Sequence, residues 1–582
     1  MNPEKALTGY PSVDKPWLKF YGSEALSVDF PKMTVYEYLL DRSKDNMDDC
    51  AMQYYGKEYT YREMFENIDR IAAALKGSGI SKGDRVTICS LTTPDAVFCF
   101  YAVAKLGAVA NIVEPRTNTD LIVERINATN SKIAIILDIF YYKISGYELN
   151  VNKVVVTSLA SNMDIVTKIG FMLTKGRKIP KPEYSDTVIR WSDFMKLGDG
   201  VPAVETAGYT ENTPVAIIYT SGTTGKSKGA QLTHDSLNAI GFQYRFPFPY
   251  NRGDSFLDIM PPFIAYGLAC GIHMPLTVGL KQIIIPAFSV DEFASYILKY
   301  KPNFFLGVPS HFDQLIKDPK MQTADLSFVK VCAMGGDILN PELELEIEKF
   351  LEEHHSKSKV FVGYGMTEMS SAATTLSYLT GGKHGSVGIP FHINLVSIFE
   401  PGTDKELKYG EEGEICFCGP GMMYGYLNDP EETSKVIMKH SDGNLWVHTQ
   451  DIGYMDEDGF VYFKDRIKRI LIRPDGHNVW PSAIENVIVA HSAVNECAVV
   501  GLPNPVGSSG RIPTAFIVKS PDSDMSEETI EKELREISQK KLPERDQALL
   551  YYFVDEIPLT PIGKVDYRKL EDGDWEKKEF TL

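Results

Sequence analysis

Between Tyr219 and Gly229 the chain runs through Thr220, Ser221, Gly222, Thr223, Thr224, Gly225, Lys226, Ser227 and Lys228, directly after the β-branched stretch Pro214 to Ile218. Three glycines, five hydroxyls and two lysines cannot build a core. They can wrap backbone N–H groups, hydroxyls and ammonium groups around a polyphosphate. Two other motifs share some of these residues. A Walker A loop needs a glycine where Thr220 stands, so that reading fails on spacing. Gly225-Lys226-Ser227-Lys228-Gly229 fits the Gly-x-Ser-x-Gly spacing of a hydrolase nucleophile elbow. There the serine must end a strand, and here it lies well beyond one, between two lysines. A flexible linker is the bland alternative. A nucleotide phosphate loop is the reading that uses every residue.

Further clusters follow at Tyr364-Gly365-Met366-Thr367-Glu368, Thr449-Gln450-Asp451, Asp465-Arg466-Ile467-Lys468-Arg469 and Pro561-Ile562-Gly563-Lys564-Val565-Asp566. Taken in order, the loop and these clusters resemble the adenylate-forming (AMP-binding) superfamily. That family includes acyl-CoA synthetases, luciferases and the adenylation domains of peptide synthetases. The resemblance covers nearly the whole chain and fits the acyl-CoA synthetase, or fatty-acid CoA ligase, branch best.

The resemblance implies that a carboxylate and MgATP give acyl-AMP and pyrophosphate, and that a thiol, usually that of coenzyme A, then displaces AMP. It further implies a role for each motif. Thr220 to Lys228 would hold the β- and γ-phosphates, Thr367 the α-phosphate and Glu368 the Mg²⁺, a hard cation suited to carboxylate oxygen. Tyr364 would stack on adenine beside Gly335-Gly336-Asp337, where the bland alternative for Gly335-Gly336 is a simple turn. Asp451 would accept from the ribose hydroxyls with Arg466 as its partner. Lys564, in a Pro-Leu-Thr-Pro-Ile-Gly-Lys segment that cannot be helical, would bridge the substrate carboxylate and α-phosphate. Lys468 matches the hinge of a rotating small domain. Gly476 matches the CoA tunnel, although one extra residue lies near Pro474-Asp475.

Phe263, Ile264, Tyr266, Gly267, Gly363 and Met366 match the acyl site. Gly363 and Gly365 carry no side chain, so a deep apolar pocket for a medium- or long-chain fatty acid is expected. Three positions depart from the family pattern. Ile264 stands where many relatives have a histidine, while Gln450 and Asp465 replace glycines. An aryl acid, a separate carrier protein as the thiol, a luciferase-like oxygenase and a non-catalytic nucleotide-binding protein are the competing readings.

The elements that must position these residues are legible as well. A Thr60-x-x-Glu63 capping box opens an amphipathic helix that stops at Gly77 and Gly79. Arg85 to Cys89, Ala108 to Val113 and Lys132 to Leu137 read as strands alternating with helices from Thr93-Pro94 and Thr119, the pattern of a mostly parallel sheet. Similar alternation over 288–307 and 330–364 predicts a second α/β subdomain, and Glu412 to Phe417 a small β region. The fold class is therefore α/β: doubly wound subdomains plus a small β region, followed by a mobile α+β lid. The expected domains are 1–466, holding the ATP and acyl sites, and 467–582. Residues up to about Phe30 lack periodicity and are expected to cross the surface.

At 582 residues the chain needs more than one core. Its net charge of −18 disfavours a general nucleic-acid binder, which needs a basic face. The eight cysteines have no metal spacing and suit a reducing compartment; Cys416 and Cys418 share one strand face, which reads as packing. The N-terminus has no apolar targeting segment and no window reaches the length of a membrane span, so a soluble, cytoplasmic protein is expected. One segment is out of character. Residues 163–181 combine Ile165, Val166, Ile169, Met172 and Leu173 with Lys168, Lys175, Arg177, Lys178 and Lys181. It reads as a surface helix with a solvated face, or as a peripheral contact with lipid headgroups.

Overall fold

The computed structural model describes residues 7–220, 227–473, 477–503, 510–521, 523–559, 565–573 and 575. The chain divides into two compact units. The first holds residues up to Val396 together with Cys416–His448 and Glu457–Val461; the second holds Ser397–Ile415, Thr449–Asp456 and Tyr462–Leu582.

Two sheets dominate the first unit. An eight-stranded sheet runs in the order Gly425–Tyr426, Lys228–Thr233, Pro214–Thr220, Val109–Ile112, Arg85–Cys89, Ile133–Leu137, Lys153–Thr157, Val188–Arg190. From Pro214–Thr220 to Val188–Arg190 every pairing is parallel. Chain order reverses at Arg85–Cys89, the switch point of a doubly wound sheet. The strands can be parallel because helices cover the crossovers. Pro94–Lys105 is buried along its whole length, and Tyr61–Gly77 starts from the Thr60–Glu63 capping box.

A nine-stranded sheet has the order Ile389–Pro390, Ser371–Thr375, Val360–Met366, Val331–Met334, Phe304–Gly307, Ser255–Asp258, Lys281–Ile284, Cys50–Tyr54, Lys57–Thr60. At its centre the parallel strand Phe304–Gly307 is buried at every position. The α/β class read from the alternating pattern is the class observed. The N-terminal segment, in contrast, does not merely cross the surface. Trp17 is fully buried and the Tyr21 hydroxyl donates to Pro390 O at 3.0 Å. Two aromatics anchor a stretch too short for periodicity to reveal.

In the second unit, Val494–Pro503, Arg511–Lys519 and Leu550–Phe553 form a three-stranded sheet. Helices Pro481–Val489 and Glu527–Lys541 bury Ile484, Ile488, Ile530 and Leu534 in one core with Val499, Ala515 and Ile517 from the strands. Among the described residues no helix is long and apolar enough to cross a membrane.

Candidate active site

Ser221, Gly222, Thr223, Thr224, Gly225 and Lys226, expected to form a phosphate loop, lie outside the described residues, but both flanks are described. Pro214–Thr220 and Lys228–Thr233 pair antiparallel, with Thr220 opposite Lys228 and Ile218 opposite Ala230. Val215, Ile217 and Ile218 are fully buried, so the core holds the strand that delivers the loop. At Gly229 a Cβ would come within 3.1 Å of Ile217 and 3.4 Å of Leu427.

Lys228 forms an ion pair with Glu432, in helix Pro430–Val436, and its ammonium lies 5.0 Å from the Tyr426 ring centroid. Hydrogen bonds from Lys228 and then Lys435 hold the Glu432 carboxyl down at about 2. The Tyr426 hydroxyl donates to Glu368 Oε1 at 2.5 Å. Burial, and next the Glu368 charge, push that phenol far above its ordinary value. Lys228, Tyr426 and Glu368 thus form one connected polar group. On the other side Arg125, from helix Thr119–Ala128, donates to Ser227 Oγ at 2.9 Å and lies 4.6 Å over the Tyr219 ring. Tyr219 in turn donates to Asn111 Oδ1 at 2.9 Å. Burial lowers the Arg125 guanidinium below its ordinary value.

Sequence reasoning missed Arg125, Tyr426 and Glu432. For Glu432 a signal existed: Asp429-Pro430-Glu431-Glu432 is a helix start, with Glu432 N donating to Asp429 Oδ1 at 3.1 Å.

The Tyr364 to Glu368 motif leaves the end of strand Val360–Met366, between Val331–Met334 and Ser371–Thr375. Gly335 and Gly336 follow the neighbouring strand Val331–Met334. Gly336 has φ +85°, and a Cβ on Gly335 would sit 3.0 Å from Gly363 O. Asp337 Oδ1 accepts from Ile338 N at 2.9 Å, and Tyr364 packs on Phe417 with centroids 5.4 Å apart. Thr367 and Glu368 occupy the short 3₁₀ turn Thr367–Met369, followed by Ser370 at φ 57° and Ser371 at φ 139°. Two successive non-glycine residues at positive φ store strain beside the motif. Glu368 is buried. Its carboxylate, steered by a phenol donor, is the hard oxygen donor that Mg²⁺ requires, so the residues present fit that ion.

The residues expected at an acyl site come from two places. Phe263 and Ile264 precede, and Tyr266 and Gly267 begin, the π-helix Tyr266–His273, a rare geometry frequent at functional sites. A Cβ on Gly267 would meet Pro261 O at 1.9 Å. The Tyr266 hydroxyl is 3.7 Å from the Cβ position of Gly335, and the Tyr244 hydroxyl 3.9 Å from that of Gly363. Tyr244, Tyr266, Gly335 and Gly363 therefore converge, while Phe263 carries the Arg116 guanidinium 5.1 Å over its ring.

Gly365 overturns one expectation. A Cβ there would fall 1.8 Å from Ser371 O, so its missing side chain is space occupied by the adjacent strand and opens no channel. Of the two, only Gly363 would take a Cβ without a clash, in ordinary contact with Thr374 O at 3.5 Å. Met366 lies opposite Ser371 in the same register.

In the second unit, Asp451 is buried and Arg466 Nε stands 3.3 Å from its Oδ1, the partnership expected from their motifs. Gln450 has φ 60°, the left-handed region, and its N–H donates to Glu414 Oε1 at 2.8 Å. A glycine is the usual residue for that conformation. Asp465 is fully buried, accepts from Arg466 N at 2.8 Å and Ser482 N at 2.9 Å, and lies 3.6 Å from Arg469. It replaces a glycine by becoming a linchpin. Lys468 sits in the turn Ile467–Arg469. Gly476 and Lys564 lie outside the described residues; Leu559 and Val565, which flank the Lys564 segment, form an antiparallel bridge.

The family model described as AMP-binding enzyme matches residues 39–427, and that described as AMP-binding enzyme C-terminal domain matches residues 483–564. The chain belongs to the AMP-binding enzyme family. Among curated relatives, a long-chain-fatty-acid–CoA ligase of Bacillus subtilis (strain 168) is 29% identical over 97% of this chain and 98% of its own length. A 4-coumarate–CoA ligase 2 of Oryza sativa subsp. japonica is 28% identical over 94% of each. The same fold occurs in the solved structure of ATP-bound MatB from Rhodopseudomonas palustris, with TM-score 0.75 at 24% identity over 93% of this chain and 98% of that one. It occurs also in an anthranilate CoA ligase, AuaEII, in complex with anthranoyl-AMP, with TM-score 0.77 at 20% identity over 94% and 98%. The phosphate hairpin, the Lys228–Tyr426–Glu368 group and the paired glycines all lie within the AMP-binding match. Glu432 lies just beyond it.

Proposed function

We propose that this AMP-binding enzyme is an acid–thiol ligase that activates a medium- or long-chain fatty acid with ATP and transfers the acyl group to coenzyme A. The observation that carries the proposal is the connected group Lys228, Tyr426 and Glu368. It joins a phosphate-loop cation to a buried carboxylate suited to Mg²⁺. In the first step a carboxylate oxygen attacks the α-phosphorus, forming a P–O bond as the bond to pyrophosphate breaks. In the second the CoA sulfur attacks the acyl carbon, AMP leaves and the thiol proton passes to solvent. Bound Mg²⁺ would supply charge neutralisation of the phosphates.

This chain's residues would position and stabilise. Thr220 to Lys228 hold the β- and γ-phosphates, with Arg125 bracing Ser227. Thr367 donates to the α-phosphate and Glu368, oriented by Tyr426, holds the Mg²⁺. Tyr364 and the Gly335–Asp337 backbone flank adenine; Asp451, with Arg466, takes the ribose hydroxyls. Lys564 stabilises the reacting carboxylate and α-phosphate. Lys468 serves as the hinge of the small domain, and Gly476 lines the CoA path.

The acyl chain would enter beside Gly363, past Phe263, Ile264 and Tyr266. The Tyr244 hydroxyl beside Gly363 and the Tyr266 hydroxyl beside Gly335 favour a second reading, an aryl acid bearing a polar ring substituent, since such a group could use a phenol partner. A panel of saturated acids of increasing length, with 4-coumarate and benzoate, assayed for AMP release with and without CoA, separates the two. The fatty-acid reading expects kcat/KM to climb with chain length, each buried methylene adding roughly 0.8 kcal/mol, until the pocket is full. Preference for 4-coumarate selects the aryl reading. Preference for acetate or an amino acid contradicts both.

A further inference from the structure

Helix Ile165–Leu173 buries none of its residues. Ile165 and Val166 are 78% and 80% exposed, and Ile169, Met172 and Leu173 are each more than half exposed. At about 100° per residue these five side chains fall on a single arc of roughly 120°. The half-buried Thr167 and Phe171 lie on the other side. The helix is therefore turned with its apolar stripe outward. Chance does not assemble this: an isolated exposed leucine is ordinary, but a contiguous stripe marks an interaction surface.

The charges around the stripe say what it meets. Lys168 flanks it, and the following turn Lys175–Lys178 and Lys181 add Lys175, Arg177, Lys178 and Lys181, all exposed. No acidic residue occurs between Ile165 and Pro182. Asp164, at the helix start, is committed to capping: its Oδ1 accepts from Val166 N at 2.9 Å and Thr167 N at 3.0 Å. Five cations thus crowd one segment of a chain whose net charge is −18. An apolar arc bordered by cations matches an anionic lipid surface, where the stripe enters the acyl boundary and the cations meet headgroup phosphates. It does not match a second copy of this acidic chain as well, because the basic border would also need an acidic groove. Repulsion from the rest of the molecule is screened beyond a Debye length of about 10 Å.

We propose that helix Ile165–Leu173 with its basic extension docks the enzyme peripherally on anionic membranes. The proposal stands independently of which acid is activated.

The test is flotation of the full chain with vesicles of phosphatidylcholine and phosphatidylglycerol, and with phosphatidylcholine alone. The wild type is expected to float with the mixed vesicles and much less with the neutral ones, and added salt is expected to weaken its binding. Ile169→Asp with Leu173→Asp, and separately Lys175→Glu with Arg177→Glu and Lys178→Glu, should each lower the bound fraction at least about tenfold. Because these side chains are exposed, ATP–pyrophosphate exchange with a water-soluble acid should stay unchanged in both variants. Absence of wild-type flotation, or flotation that both variants retain, overturns the proposal. So does sedimentation showing that Ile169→Asp with Leu173→Asp turns a dimer into a monomer while vesicles bind neither form; the stripe then covers a second copy.

Discussion

Gln450 sits at φ 60° beside Asp451, in a region that costs a side-chain-bearing residue roughly 1–2 kcal/mol. Its backbone N–H is fixed by Glu414, so the local fold imposes the conformation and the side chain tolerates it. Gln450→Gly should therefore raise stability by a few tenths to about 1 kcal/mol, the strain relieved less the added freedom of the unfolded chain. Denaturant unfolding checks this, and a loss of stability would contradict it. Arg125 is the other residue whose role only the three-dimensional arrangement exposes. Its donor meets Ser227, 102 residues away, and no local spacing could announce that contact. Removing a hydrogen bond from a charged donor costs about 1.5–3 kcal/mol. Arg125→Ala should thus lower kcat/KM for ATP at least about tenfold while leaving kcat/KM for CoA nearly unchanged. Unaltered ATP kinetics would dismiss Arg125 from the site. Thr367 and Glu368 could be singled out as candidates because they sit in a short contiguous motif; Tyr426 could not, since its link to Glu368 spans 58 residues.

Strand Val360–Met366 shows how an element assigns different work to two similar residues. Gly363 and Gly365 look alike in the sequence, and both suggest an open pocket. The antiparallel pairing with Ser371–Thr375 separates them, because the neighbouring backbone takes the space at Gly365 and leaves it at Gly363. Gly365→Ala should fail to fold or lose several kcal/mol, as expected when a Cβ meets backbone that cannot move. Gly363→Leu should fold and shorten the preferred acid by several carbons. Circular dichroism and the chain-length profile of kcat/KM read the two outcomes. An unchanged profile in Gly363→Leu would remove that residue from the acyl site. The elements themselves were well marked: the Thr60 capping box, the Pro94 helix start and the alternating apolar strands are local signals, and local physics produces them. Sheet order and register, which decide what each glycine faces, come from contacts far apart in the chain and leave no such mark.

At the scale of the whole molecule, burial in the first unit holds His234, His273, His311 and His392 below their ordinary range. His234 accepts at Nδ1 from Val35 N, and His273 lies between the Tyr101 hydroxyl and Asn238 Oδ1. Burial lowers His234 to about 4 and His273 to about 3, against an ordinary 6.5. Below pH 6.5 the unfolded chain binds protons that these folded groups refuse, so their contribution is complete above that pH and falls as the solution is acidified. His234 alone should withdraw about 2 kcal/mol between pH 7 and pH 5, while the buried carboxyls of Asp95 and Asp258, raised by desolvation, work in the opposite direction over the same range. Denaturant unfolding of wild type and His234→Gln at the two pH values checks this, and an equal change with pH in both proteins would contradict it. The central claim is that two successive reactions occur, only the first of which uses Lys564. Its most direct measurement is of both half-reactions in Lys564→Ala, beside wild type: acyl-AMP formation from acid and MgATP, and CoA thioester formation from supplied acyl-AMP. The account predicts a loss of about 10²–10³ in the first, the usual cost of removing one preorganised charge-stabilising donor, with the second intact. Equal losses in both, or none in either, would contradict it.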